Sequence, residues 1–454
     1  MVPAGKPAAT QQGALVEFRI RNLGQVTDTT LDLRPLTVIV GQNNTNKTWL
    51  AYGIYGWLSL AEAMRHPDLF VALPIRSSAV DEAESARDAI VELVSQQAKG
   101  VTRFLNAEWD EFFQAAKPGG FAHARVEGVL TDREIGPAVD AAIGQLRRRA
   151  AGGNGEAGVQ SPLPRERLFS AVARRALDSL CCRPFILPAE RNALVITSKL
   201  LANRRLRAMR ASRRHRFDPK MAREMALLRE QGETFYPRPV EDFLDFLADI
   251  DIDGPRRRMS SAFIDVDRLI ETHVNRGNRL VLVPTDLGGT DLKVEVEEKR
   301  GPIGLAMASS SIKQLAPLLL YLRLRAQPGD LLVIDEPEMN LHPASQVRLL
   351  EALAVLVDSG VYVLLTTHSP YLLSHLNTLA LEAGRKKKAR ERQAAALYLN
   401  DPKALLGMDR ISAYELVDGE LRSLKDPEYG IRWDTLSDVS SEVQSRYWAV
   451  REVE

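Results

Sequence analysis

Cysteine is almost missing from this chain. There are two in 454 residues, Cys181 and Cys182, side by side. Neighbouring cysteines rarely pair with each other, so no disulfide framework is expected. The pair reads as two small buried apolar residues of a reduced, cytoplasmic protein. Net charge is scarce as well: 60 Lys and Arg face 59 Asp and Glu, leaving +1. Bulk charge therefore selects no partner, and any acidic or basic surface must be local. No apolar run reaches the roughly 18 residues of a membrane span. The opening MVPAGKPAATQQG lacks the apolar core of a signal peptide and reads as a disordered lead over 1–13. What remains is an ordinary globular composition, 45% apolar and 26% charged, in a chain long enough for two or three domains.

Residues 15–40 alternate and then turn wholly apolar, which predicts two or three strands, the last (Leu36–Val40) buried on both faces. A glycine turn at Gly41 leads into a helix from about Thr48 to Met64. Apolar positions at helical spacing predict a helix or helix pair over 81–116, and 131–180 reads as mostly helical. A short strand, Pro184–Pro188, is followed by a basic helical segment and more helix to about Leu247. Strands resume at Arg279–Val283 and Leu292–Glu297. A helix over 310–326, a buried strand Leu331–Asp335, a helix Pro343–Ser359 and a buried strand Tyr362–Thr366 come next. Short strands at Ala396–Leu399 and Ile411–Leu416 precede a helix at 437–452. The order is split α/β: buried, parallel-type strands at both ends with a large helical block between.

Three segments carry chemistry. Gly41-Gln42-Asn43-Asn44-Thr45-Asn46-Lys47-Thr48 lies between a buried strand and a helix, the context of the phosphate-binding pattern G-x-x-x-x-G-K-[ST]. Loop amides and the helix N-terminus would face phosphates, Lys47 would neutralise the β/γ oxygens, and Thr48 would ligate Mg²⁺. Asn46 replaces the second glycine; asparagine tolerates the left-handed backbone better than other side chains. At the end of the Leu331–Ile334 run stand Asp335, to hold Mg²⁺ through a water, and Glu336, to orient and deprotonate an attacking water. His368 ends the next buried strand, where an imidazole can sense a γ-phosphate by hydrogen bonding. Ser309, Ser310 and Ser311 open the 310–326 helix, where hydroxyls cap the helix and favour an anion. Taken singly, each has a plain reading too: a turn lysine, a solvated acidic strand end, a structural histidine, an N-cap.

In this order the residues resemble an SMC-like, ABC-type P-loop ATPase head, and more narrowly the AAA-type ATPases of the OLD-like group that stand alone without a Toprim domain. The resemblance rests on 41–48 as Walker A, Ser309–Gln314 as signature, 331–336 as Walker B, Glu338-Met339-Asn340-Leu341-His342-Pro343 as a D-loop, and His368 as switch histidine. Pro188-Ala189-Glu190-Arg191 also looks like an element of these ATPases. The resemblance implies an α/β head with N-terminal antiparallel strands and a large helical insertion. The head is 14–58, 182–195 and 279–454; the insertion is 59–181 and 196–278. ATP and Mg²⁺ are the implied cofactors. Gly41, Asn43, Asn44, Asn46, Lys47, Thr48, Ser309, Ser310 and Ser311 would bind nucleotide, Thr48 and Asp335 metal, with Glu336, His368 and Lys47 catalytic. The implied assembly is a head-to-head dimer in which each signature serine reaches the other copy's nucleotide. Ser311 stands where the signature has its final glycine. With Asn46, it leaves slow hydrolysis or long-lived ATP binding open.

A transporter subunit is disfavoured because its phosphate loop and signature lie much closer in sequence. SMC proteins proper carry long heptad coiled coils that are lacking here. The 86 residues after His368 are too few for a Toprim domain. The expected function is a dimeric ATP-dependent switch controlling a partner effector, a nuclease or toxin, in anti-phage defence. The rivals are a weakly hydrolysing ATP-bound scaffold and a DNA-repair or recombination ATPase. The last would use Lys199, Arg204, Arg205, Arg207, Arg210, Arg213, Arg214 and Arg216, a run with no acid, to contact phosphates; an acidic protein would fit that run equally well. Arg256–Arg258 and Arg385–Arg392 are further basic clusters.

Overall fold

The computed structural model describes residues 16–63, 77–115, 119–152, 165–198, 236–253, 261–285, 290–296, 301–381, 387–432, 442 and 445–450. Its organising element is a six-stranded sheet. β3 (Leu36–Gly41), β9 (Asp330–Asp335) and β10 (Tyr362–Thr367) read LTVIVG, DLLVID and YVLLTT. Such continuous apolar runs suit strands covered on both faces, and β3 and β9 are buried at every position. With β5 (Arg183–Leu187), β13 (Ile411–Val417) and β14 (Glu420–Ser423) they take the order β14-β13-β3-β10-β9-β5. All pairings are parallel except the β13–β14 edge.

A second sheet, β2-β1-β4, is antiparallel. In β1 (Val16–Leu23) the residues Val16, Phe18 and Ile20 are buried while Glu17 and Arg19 are half-exposed, the alternation of a sheet with one covered face. β2 (Val26–Leu33) follows through a two-residue turn whose first residue, Gly24, has φ +63°. A third sheet is formed by β6 (Arg279–Pro284), β7 (Thr290–Glu295) and β8 (Ile303–Gly304). A short parallel pair joins β11 (Ala380–Leu381) to β12 (Leu406–Gly407).

Helix α1 (Lys47–Ala63) contacts β3, β5, β9 and β10 on one side and β1 and β4 on the other. Lying between two sheets, it is buried almost all round from Leu50 to Leu58. The helical block consists of α2 (Ser77–Ser85), α3 (Arg87–Ala107), the single turn α4 (Trp109–Phe112), α5 (Asp132–Gly152) and α6 (Arg165–Leu180). The start of α5 is tied back by one carboxylate: Glu134 Oε2 accepts from Thr131 N at 2.8 Å and from Thr131 Oγ1 at 2.9 Å. Trp109, Phe112, Phe113 and Phe121 stack on one another and on Trp49 of α1, tying the block to the head. Further helices are α7 (Arg238–Asp253), α8 (Ser261–Leu269, continued by a π-turn at Ile270–Val274), α9 (Ser310–Leu324), α10 (Pro343–Asp358), α11 (Pro370–Leu379) and α12 (Lys387–Ala394).

The α/β architecture with N-terminal antiparallel strands and a large helical region is as expected. Two local readings differ. Ala396–Leu399 is a turn, not a strand: the amides of Tyr398 and Leu399 donate to the buried carboxylate of Glu351 at 3.1 and 2.8 Å, so they are unavailable to a sheet. The strand β4 (Arg125–Val129) lies within the stretch expected to be a mainly helical insertion and pairs with β1. Among the described residues, no helix is long and apolar enough to cross a membrane.

Candidate functional site

Parallel register brings the ends of the strands that carry the expected site residues together. Val40 pairs with Thr367, Thr366 with Asp335, and Leu187 with Ile334, so the C-terminal ends of β3, β10, β9 and β5 share one edge. In open α/β sheets ligands bind at that edge, where chain direction diverges.

The loop after β3 curls because two asparagines adopt left-handed backbone, Asn44 at φ +63° and Asn46 at φ +69°. Short polar side chains visit this region at low cost. Lys47 opens α1 and is buried. Its Nζ donates to Gly41 O at 3.0 Å and Gln42 O at 2.6 Å. Burial lowers its ammonium to about 8, opposed by the charges of Glu336, Asp335 and Glu338. An arriving anion would favour the charged form again. Beside it, Thr48 Oγ1 donates to Asp335 Oδ1 at 3.2 Å.

Asp335 is 1% exposed. Burial raises its carboxyl to about 6, opposed by hydrogen bonds from Thr366 and Thr48. Glu336 follows at φ +47°, a left-handed turn that ends β9. Its amide donates to Thr366 O and Thr366 Oγ1, both at 3.2 Å. The turn brings Glu336 Oε1 within 3.1 Å of His368 Nε2. That bond, above all, holds the Glu336 carboxyl below its usual range. Both side chains keep partial solvent access, 28% and 30%, so a water can reach them.

Two further residues complete the cluster. Glu338 Oε1 accepts from Thr367 Oγ1 at 2.6 Å and from His368 N at 2.7 Å. Its Oε2 is buried without a hydrogen bond among the described residues. Arg191 is 2% exposed and binds four carbonyls: Nε to Gln314 O at 3.2 Å, Nη1 to Pro188 O at 2.9 Å and Asp335 O at 2.6 Å, Nη2 to Glu336 O at 3.0 Å. One guanidinium thus fastens the segment after β5, helix α9 and the turn after β9. Burial lowers its pKa to about 10. Sequence reasoning gave Arg191 and Glu338 no site role, although Pro188–Arg191 and Glu338–Pro343 had stood out as segments.

Ser309 caps α9: its Oγ accepts from Ile312 N at 3.4 Å and lies 2.9 Å from Ser311 Oγ. Ser309 and Ser310 are exposed and Ser311 is half-buried. Arg191, through Gln314 O, ties the helix that carries this cap to the loop–carboxylate cluster. The basic run Lys199–Arg216, Arg256–Arg258 and Arg385–Lys386 lie outside the described residues.

Thr48 and Asp335 offer a hydroxyl and a carboxylate, hard oxygen donors of the kind Mg²⁺ takes alongside waters and phosphate oxygens. Among the described residues no group of three or more His, Cys, Asp or Glu gathers to hold an ion on protein ligands alone. A hydroxyl and a carboxylate of this kind fit a cation that takes its other oxygens from water or phosphate.

Residues 190–374 match the family model described as "AAA domain, putative AbiEii toxin, Type IV TA system". The matched stretch contains Arg191, the serine cap, Asp335, Glu336 and His368. No curated protein matches the chain. Among solved structures, the Smc head domain of Pyrococcus furiosus with an extended coiled coil, bound to the C-terminal domain of ScpA, matches at 12% identity. Its TM-score is 0.36, over 94% of this chain and 99% of that one. An SmcHead bound to the C-winged helix domain of ScpA matches at 10% identity with a TM-score of 0.37, over 90% and 97%.

Proposed function

We propose that the chain is an ABC-type ATP-binding and ATP-hydrolysing switch whose nucleotide state controls a partner effector, a nuclease or toxin, in anti-phage defence. The observation that carries this reading is the 3.2 Å bond from Thr48 to Asp335, which joins residues 287 positions apart. The matched family's description as a putative toxin of a type IV toxin–antitoxin system supports the effector-linked setting.

In this reading Gly41, Asn43, Asn44 and Asn46 lend backbone to the triphosphate, and Lys47 adds a positive charge. Mg²⁺, on Thr48 and through a water on Asp335, would supply neutralisation of phosphate charge. Glu336 takes a proton from the water that attacks the γ-phosphorus, and the γ-phosphoryl bond to ADP breaks as inorganic phosphate forms. His368 holds the Glu336 carboxylate and reads the γ-phosphate. Arg191 fixes the carbonyls of Asp335 and Glu336, so the two carboxylates keep their places while ligand comes and goes. Ser309, Ser310 and Ser311, on an exposed helix start, reach the nucleotide of a second copy in a head-to-head dimer. The head comprises 14–58, 182–195 and 279–454, and head engagement moves the helical insertion, 59–181 and 196–278.

Measured ATP turnover tests the chemistry. Glu336→Gln is expected to bind ATP and lose hydrolysis by about 100-fold or more, as for removal of a general base; Lys47→Ala is expected to lose binding. Wild-type turnover in both variants would remove the assigned site.

A further inference from the structure

Asn46 stands where phosphate loops of this pattern carry glycine, and its side chain is already engaged. Its Oδ1 accepts the Gln25 N–H at 2.8 Å. Gln25 is the second residue of the β1–β2 turn, and Gly24, the first, leaves room for the contact. A Cβ on Gly24 would lie 2.8 Å from Asn46 Oδ1 and 2.6 Å from the Trp49 ring. The strand that leaves the turn is fastened as well, since Thr27 N of β2 donates to Gly419 O at 3.0 Å just beyond β13. Trp49 carries the contact onward to Phe121 and Phe113 of the helical block. Thus the Asn46 backbone adopts the left-handed turn that glycine would supply, and its side-chain oxygen is turned to the antiparallel sheet.

We propose that Asn46 is a positioning residue: its amide latches the β1–β2 turn onto the 41–48 loop, holding the loop in its nucleotide-binding shape and coupling that sheet to nucleotide. The inference rests on the ATP reading above. It runs against the motif: replacing Asn46 by the usual glycine weakens binding, although glycine accepts the backbone angle without strain.

The test pairs ATP affinity with amide hydrogen exchange in the full-length chain. Asn46→Gly is expected to bind ATP about 5-fold more weakly, the worth of one neutral hydrogen bond, with KM raised and kcat held. In the wild type, ATP is expected to slow exchange of the Gln25 amide; in Asn46→Gly that amide exchanges fast with or without ATP. If wild-type protein binds no ATP, the nucleotide reading falls and this inference with it. If wild type binds but Asn46→Gly binds as tightly, or ATP protects the Gln25 amide equally in both, the inference alone falls.

Discussion

Replacing Arg191 by methionine should loosen the head without emptying its core. The guanidinium is buried and donates to four carbonyls in three segments. Hydrogen bonds to a charged group contribute about 1.5 kcal/mol each at the low end, so the four together are worth about 6 kcal/mol. Against this stands the cost of burying the charge. A guanidinium taken from 12.5 to about 10 has lost about 3 kcal/mol of preference for its charged form. Methionine fills much of the volume and escapes that cost, leaving a net loss of about 3 kcal/mol. Urea denaturation reads this as a lower midpoint at an unchanged slope. Arg191→Lys should recover less than half, because one ammonium cannot span carbonyls that a planar fork reaches at once. An Arg191→Met unfolding free energy within about 1 kcal/mol of wild type, or full recovery by lysine, would refute the clamp.

Other consequences can be measured alongside the hydrolysis and latch tests. Asp335 has its carboxyl raised from 3.8 to about 6 in the folded chain. Its favourable contribution is therefore present below about pH 4 and lost as pH rises through 6. In chelator-treated protein, the stability of wild type relative to Asp335→Asn should fall by about 3 kcal/mol from pH 4 to 7.5; a pH-independent difference would contradict the burial argument. Glu351 is wholly buried and accepts from His375 Nε2 at 2.8 Å and from the amides of Tyr398 and Leu399. Glu351→Ala should cost about 3 kcal/mol by stranding those donors and should speed amide exchange at 398 and 399; unchanged exchange there would count against it.

Much of the central sheet was legible because β3, β9 and β10 are short, mainly apolar runs bounded by turn residues, a pattern that suits strands covered on both faces. The loop–carboxylate cluster was legible for a related reason: two acids follow directly where the Leu331–Ile334 run stops, and a lysine and a threonine follow β3 after one short loop. Other features had no comparable mark. β4 presents only Val126 and Gly128 to the covered face, and Gly128 lies against the Trp57 ring, so its alternation carries almost no hydrophobic signal. Arg191 is a charge where burial is expensive, and no local pattern foretells four carbonyls converging from Pro188, Gln314, Asp335 and Glu336. The run at 396–399 looked like a strand because apolar spacing cannot show that a distant glutamate has taken its amides.

Glu336 sits at φ +47°, where an ordinary side chain costs about 1–2 kcal/mol and glycine or asparagine would rest more easily. A chain shaped only to fold would have little reason to keep a glutamate there. In the proposed reading its presence sets folding against chemistry at a single residue, with the carboxylate carried by a backbone that Arg191 and Thr366 hold in that turn. Among these acids, Asp335 bears its cost in the burial of its charge, whereas Glu336 bears its cost in the backbone.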